Sequence, residues 1–157
     1  MHVNKVMKEE LAFTGMMVFG MVGVMMSYNA VLVNGFTPEA FRMIVVGFIP
    51  TYILALVIEL FVVSHNVHKI HKILVSPKDP QFKHIIVLAF LFVTFMAVIM
   101  SLYGTLMGTG SEDQFWQHYF INLAHNWPVA LFTQLAIMGP LVRILHMKLF
   151  KKTTLVD

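Results

Sequence analysis

Six side chains in a strongly apolar chain are of types that handle protons, cations or polar solutes: Asn29, Glu59, Asn122, His125, Asn126 and Gln134. All fall inside long hydrophobic runs. An amide or ionisable group there costs free energy unless it finds a partner or water, so the six mark a candidate polar pathway. Glu59 is the one carboxylate among them. It stands four residues before the end of its run, about 6 Å along a helix that rises 1.5 Å per residue. It is therefore a candidate proton or cation carrier, or a boundary residue that reaches toward water or Lys69. His118, Asn122, His125 and Asn126 recur at i, i+4, i+7 and i+8, one polar face of a helix. Two histidines seven apart are two turns apart, so holding a metal would need a further ligand such as Glu112. Interfacial hydrogen bonding suits that spacing better.

The remaining chemistry-bearing patterns read as structure. His65, His68, His71 and His84 are interleaved with Lys69, Lys72, Lys78 and Lys83, which makes a cationic solvated stretch rather than a metal site. Methionine is abundant, at 13 residues with no cysteine, and adaptable packing explains it better than soft-metal binding. No nucleophile–base–acid set, phosphate loop or zinc-protease motif is present. No catalytic residue, metal or cofactor is expected, and the chain is not expected to be an enzyme.

The elements that must carry these residues follow from composition. Of the 157 residues 58% are hydrophobic and 12% charged, with a mean hydropathy of +0.76; soluble domains are about 25% charged. Four apolar blocks, at about Leu11–Val33, Phe41–Val63, Ile85–Met107 and Tyr119–Leu141, each reach the roughly 20 residues needed to span a bilayer as a helix. Asn34-Gly35 reads as a turn, and Thr37-Pro38-Glu39 as the cap and first turn of the second helix. Ser64 to His84 reads as a loop because apolar residues thin out there. Ser111-Glu112-Asp113 reads as the cap of the fourth helix, which is expected to end in Gly139-Pro140-Leu-Val-Arg143. Pro50, Pro128 and Pro140 are expected helix kinks.

The chain is written twice. Met21, Met25 and Tyr28 form a packing stripe at i, i+4 and i+7, and Met96, Met100 and Tyr103 repeat it 75 positions later. A glycine follows each tyrosine by seven residues, at Gly35 and Gly110. The expected architecture is all-α: an integral membrane four-helix bundle of two parallel helical hairpins, residues 1–75 and 76–157. Aligning the second helices on Pro50 and Pro128 pairs Glu59 with Ile137. Gly20, Gly23, Ser27 and Ala30 lie on one stripe of small residues, an expected packing seam.

The tandem hairpins resemble a small bacterial membrane family known as domain of unknown function 2798. The resemblance rests on Phe13-Thr-Gly-Met-Met, Met25-Met-Ser-Tyr28-Asn29, Met100-Ser-Leu-Tyr103-Gly104 and Gln134-Leu-Ala-Ile-Met-Gly139-Pro140-Leu-Val-Arg143. Members often carry an acid followed by Trp where this chain has Glu59-Leu60. The resemblance implies a two-repeat membrane topology and no particular mechanism.

The functional expectation is a small membrane protein that moves or exports a small solute or ion, as a homo-oligomer or beside a partner membrane protein. The alternative is a non-transporting accessory, stabilising or sensory subunit. The net charge of +3 points to anionic lipid, with no nucleic-acid partner.

Ten of the eleven Lys and Arg fall in the N-terminal segment, the middle stretch and the C-terminal tail. The positive-inside rule then puts both termini on the cytoplasmic face of the bacterial plasma membrane. Reporter fusions are expected to read cytoplasmic at Asp157 and external within 111–113; an external C-terminus would overturn the assignment of sides.

Overall fold

The computed structural model describes residues 2–109 and 114–150. Gly110, Ser111, Glu112 and Asp113, read above as the end of the third helix and the cap of the fourth, lie outside the described residues, as does the tail beyond 150. The architecture is all-α, with no strand among the described residues. The helices are α1 (His2–Asn34), α2 (Pro38–Ile58), α3 (Ser64–Leu74), α4 (Gln81–Thr109), α5 (Phe115–Phe132) and α6 (Gly139–Phe150). One π-helical segment, Glu59–Val63, joins α2 to α3, and another, Thr133–Met138, joins α5 to α6. The result is four continuous helices long and apolar enough to cross a membrane. Side chains such as Phe41, Phe61 and Phe132 stand well exposed along them, as lipid-facing residues do.

Local chemistry sets the first turn. Gly35 has φ +67, the left-handed region where a side chain would be strained, and its N–H donates to Val31 O at 2.8 Å. The Thr37 hydroxyl accepts from Ala40 N–H at 3.3 Å, and Pro38, with no N–H to lose, opens α2.

The π segments stand at equivalent places in the two repeats. The Ser64 N–H reaches back five residues to Glu59 O, one residue wider than an α-turn. Glu59 and Gln134 are 75 positions apart, the same interval as Tyr28 and Tyr103. This corrects the pairing of Glu59 with Ile137: the prolines are 78 apart and occupy non-equivalent turns. The second π segment has a visible cause. Pro140 cannot donate a hydrogen bond and its ring would strike the carbonyl of Ala136 in a regular α-helix; widening the preceding turn relieves that clash. Hence Pro140 does not close the fourth helix, which runs on to Phe150. The first π segment has no proline within eight residues, and nothing local in its sequence accounts for it.

Packing divides the described residues into two units. The first comprises those of Met1–Leu56 and Leu135–Asp157, with α1 in the middle. On one side the Phe19 ring meets Phe48 and Tyr52 of α2 edge-on, with centroids 5.0 and 5.6 Å apart, and the Tyr52 hydroxyl donates to Gly15 O at 3.3 Å. On the other side Phe13 packs edge-on against His146 of α6 at 5.5 Å, and the Met138 side chain occupies the space above Gly20. The small-residue stripe is thus used inside the chain: Gly20 faces Met138, a Cβ on Gly23 would lie 3.7 Å from Phe48, and Ala30 is buried.

The second unit is Val57–Gln134, and its middle helix is α4. One side packs against the first π segment and α3, where Val63, Val67 and Leu91 form a core joined by Ile58, Ile70, Val87 and Met96. The other side packs against α5. Here the reading of Ser64–His84 as a loop is corrected: helix continues to Leu74, and only 75–80 connects it to α4. Lysines and histidines make the stretch polar on the whole, yet Val63, Val67, Ile70 and Leu74 keep a helical apolar stripe. Beyond the apolar run water is the alternative environment, so burying a valine there is worth roughly 1.5–3 kcal/mol.

The α3–α4 turn is closed by Asp79. Its Oδ2 accepts from Lys83 Nζ at 2.9 Å and from Ser76 N–H at 2.8 Å. The Lys83 bond, and then the Ser76 bond, hold the Asp79 carboxyl below the usual carboxylate range.

Two predictions come from this packing. Gly20→Leu should destabilise the protein by about 1–3 kcal/mol through overpacking, and Met138→Ala in the same chain should recover most of the loss. Gly20→Ala should be milder, because the thioether end can move aside. Unfolding titrations in mixed micelles read all three, and an unperturbed Gly20→Leu protein would place α6 elsewhere. At the turn, the lowered Asp79 pKa means that stabilisation is present above the ordinary carboxylate range and is lost as pH falls through the folded value. Intrinsic-rate-corrected amide protection at Ser76 should fall with acidification in wild type and stay flat in Asp79→Asn; parallel profiles would refute the assignment.

Candidate functional site

Polar side chains of the second unit collect on the seam between α4 and α5. Helical spacing puts Thr94, Ser101 and Thr105 on one face of α4 at i, i+7 and i+11, and Asn122 and Asn126 one turn apart on α5. Asn122 Nδ2 donates to Thr105 Oγ1 at 3.0 Å, and Thr105 Oγ1 donates to Ser101 O at 2.8 Å. Trp127 Nε1 donates to Thr94 Oγ1 at 3.0 Å, while its ring sits edge-on to Phe90. Tyr119, near the start of α5, donates its hydroxyl to Val98 O at 3.4 Å.

Two buried polar atoms of this seam are unsatisfied. The helices are antiparallel, so Asn126 stands to Ser101 as Asn122 stands to Thr105, four residues on in one helix and four back in the other. Ser101 is 2% exposed. Its Oγ and the Asn126 Oδ1 are buried with no hydrogen-bond partner among the described residues. An unpaired buried polar atom costs about 1–3 kcal/mol, and in lipid no water is at hand to offset it.

Glu59 comes to a similar depth from the other side of α4. His71 lies beside His84, and His68 beside Phe92. Counting back along α3 by the same antiparallel register, Glu59 comes level with residues 96–101 of α4. Glu59 is half-buried, and its carboxylate makes no hydrogen bond or ion pair among the described residues; the ion pair found there is Lys83–Asp79. The expected alternative of pairing with Lys69 is therefore not realised among them.

The six candidate residues divide between the two units, five in the second and Asn29 in the first. Asn29 belongs to the first unit and spends its amide on its own helix, donating to Met25 O at 2.9 Å. Asn122, Asn126, Glu59 and Gln134 are half-buried in the second unit, and His125 is exposed. His118 is half-buried in the first turn of α5, and Glu112 is outside the described residues. Phe115, Trp116, Tyr119 and Phe120 pack on one another, mostly edge to face, around that turn. In the repeated stripes, Met21, Met25, Tyr28, Met96, Met100 and Tyr103 are all half-buried, with Met96 on the Val63–Val67–Leu91 core. Pro50 and Pro128 lie inside α2 and α5.

Sequence reading passed over Thr94, Ser101, Thr105 and Trp127. Their signal was present, as three hydroxyl residues on one helical stripe of an apolar run facing two asparagines with the matching interval.

Comparison with known proteins agrees with the repeat. Residues 7–75 and 81–150 each match the family described as Domain of unknown function (DUF2798). The two matches begin 74 and end 75 positions apart, the interval that pairs Glu59 with Gln134. The chain is 33% identical over 155 residues to a Bacillus subtilis (strain 168) protein described as uncharacterized protein YybC, covering 96% of each chain. No solved structure matches.

Proposed function

The chain belongs to the DUF2798 family, and on that premise we propose that this multi-pass membrane protein moves or exports a small polar solute or ion. The observation that carries the reading is the α4 level at which the Glu59 carboxylate, Ser101 Oγ and Asn126 Oδ1 all lack partners among the described residues. Unpaired polar atoms inside apolar helices are retained against a cost, and a transient occupant such as water, a proton or a polar solute offsets it. Asn122 and Gln134, half-buried in the same unit, add amides to this route. The first repeat supplies the titratable carboxyl, and the second supplies an isosteric amide at the same place. One chain thus offers one exchangeable proton, at Glu59.

The setting of this activity is the bacterial cytoplasmic membrane, with both termini cytoplasmic and anionic lipid against the basic end. A homo-oligomer, or a partner membrane protein, completes the route. The chemistry is non-catalytic: it requires a carboxyl that exchanges a proton and amides that hold a polar guest.

A second reading has its own support. Asn29 bonds to its own helix and His125 is exposed, as expected of an accessory or sensory subunit without a continuous path. The discriminating experiment is proton-dependent flux in liposomes carrying wild type or Glu59→Gln at matched incorporation. The substitution keeps shape and hydrogen bonding while removing the charge, so coupled flux should disappear in a folded protein. Equal flux from the two would sink the coupling role of Glu59, and no flux from wild type with any of a panel of ions and small solutes would promote the accessory reading.

A further inference from the structure

The end of the second unit holds a feature that neither flux nor packing uses. His71 sits in the last turn of α3 and His84 in the first turn of α4, both half-buried. Across the turn, His71 Nε2 and His84 Nδ1 are 3.3 Å apart, with ring centroids at 5.1 Å and planes inclined at 53°. That separation is long for a hydrogen bond, whose usual heavy-atom distance is about 2.9–3.0 Å. It matches the bite of two imidazoles on one tetrahedral ion: metal–nitrogen bonds of about 2.0–2.1 Å at the tetrahedral angle put the nitrogens roughly 3.3–3.4 Å apart.

We propose that His71 and His84 form a binding site for one late first-row divalent cation of the zinc class, clamping α3 to α4 at their shared turn. Both rings are held by backbone that is already ordered. Val75 is buried and its N–H donates to His71 O at 2.9 Å, while Val67, one turn before His71, is fully buried. On the other arm of the hairpin, Lys83 N–H donates to Pro80 O at 2.9 Å, and Asp79 ties Ser76 to Lys83. The site therefore needs little rearrangement to close on an ion.

Imidazole nitrogen selects zinc, copper and nickel over calcium or magnesium. The groups nearby are committed elsewhere: His68 Nδ1 bonds to Ser64 O at 2.7 Å, and Asp79 bonds to Lys83 and Ser76. Among the described residues no group of three or more His, Cys, Asp or Glu is gathered for a metal. Water then completes the coordination, and an ion held by two protein nitrogens exchanges readily. Such a site senses or regulates; it does not build the fold. The lysines that make this stretch look unfit for a metal in sequence do not enter it, because the second ligand comes from thirteen residues away across the hairpin.

The test uses the purified full-length chain in detergent with Zn²⁺ for calorimetry and Cu²⁺ for electron paramagnetic resonance. Wild type should bind one ion with a two-nitrogen signature, and Zn²⁺ should raise its unfolding temperature by mass action. His71→Gln and His84→Gln, which keep hydrogen-bonding capacity, should each weaken binding roughly tenfold or more and abolish the thermal shift. His65→Gln, on the exposed face of α3, should bind as wild type does. Circular dichroism without metal confirms that each variant is folded. Wild-type affinity in folded His71→Gln and His84→Gln overturns the site. So does an equal loss in His65→Gln, which would mark diffuse binding to surface histidines.

Discussion

The absence of water from a bilayer core governs this molecule. Every peptide group there must find its partner within the chain, which leaves long helices as the form available to four uninterrupted apolar runs. Hydrophobic attraction between such helices is weak in lipid, so close fit and a few hydrogen bonds must hold them. Both are visible. Gly20 yields its side-chain space to Met138, Phe19 meets Phe48 and Tyr52 edge-on, and Asn122 and Trp127 bond to Thr105 and Thr94. The same constraint makes the unpaired Ser101 Oγ and Asn126 Oδ1 conspicuous; at a soluble surface they would mean little.

The π segments give the two packing units a common plan. In each unit the first helix of a repeat is central, flanked by the beginning of its own hairpin partner and by the later part of a second helix. In the first unit α1 lies between α2 and α6; in the second, α4 lies between α5 and the Glu59–Val63 segment with α3. Inserting one residue into a helical turn rotates everything after it by about 100°, so a face aimed at one neighbour becomes a face aimed at another. Glu59 and Gln134 stand at those two changes of face. Duplication supplied the equivalent positions, and divergence made one of them an acid and the other an amide.

The α3–α4 turn shows how tertiary pairing reassigns chemistry. Lysines and histidines there lower hydropathy and disguise a helix, yet the apolar stripe through Val67 persists and seats α3 on α4. That seating brings His71 to His84, while Asp79 meets Lys83 locally, four residues on. Cationic side chains on the outer face remain available to solvent and lipid headgroups while the imidazole pair turns toward its own hairpin.

From sequence alone the four spans, the duplication, the Gly35 turn and the Thr37–Pro38 helix start were legible, because each depends on local rules: run length, a fixed interval, a left-handed residue, a cap. The extension of α3 to Leu74 was also written locally, in a periodicity that the lysines and histidines conceal. Other features required the fold. Pro140 ends a helix by local rules, but a wider turn before it lets the helix continue. The pairing of Glu59 with Gln134 was hidden by prolines placed three residues out of register. The Thr105–Asn122 bond, the Thr94–Trp127 bond and the His71–His84 pair join residues 13 to 33 positions apart. Which faces of two helices meet is decided by the summed packing of both, and no single stretch of chain carries that information.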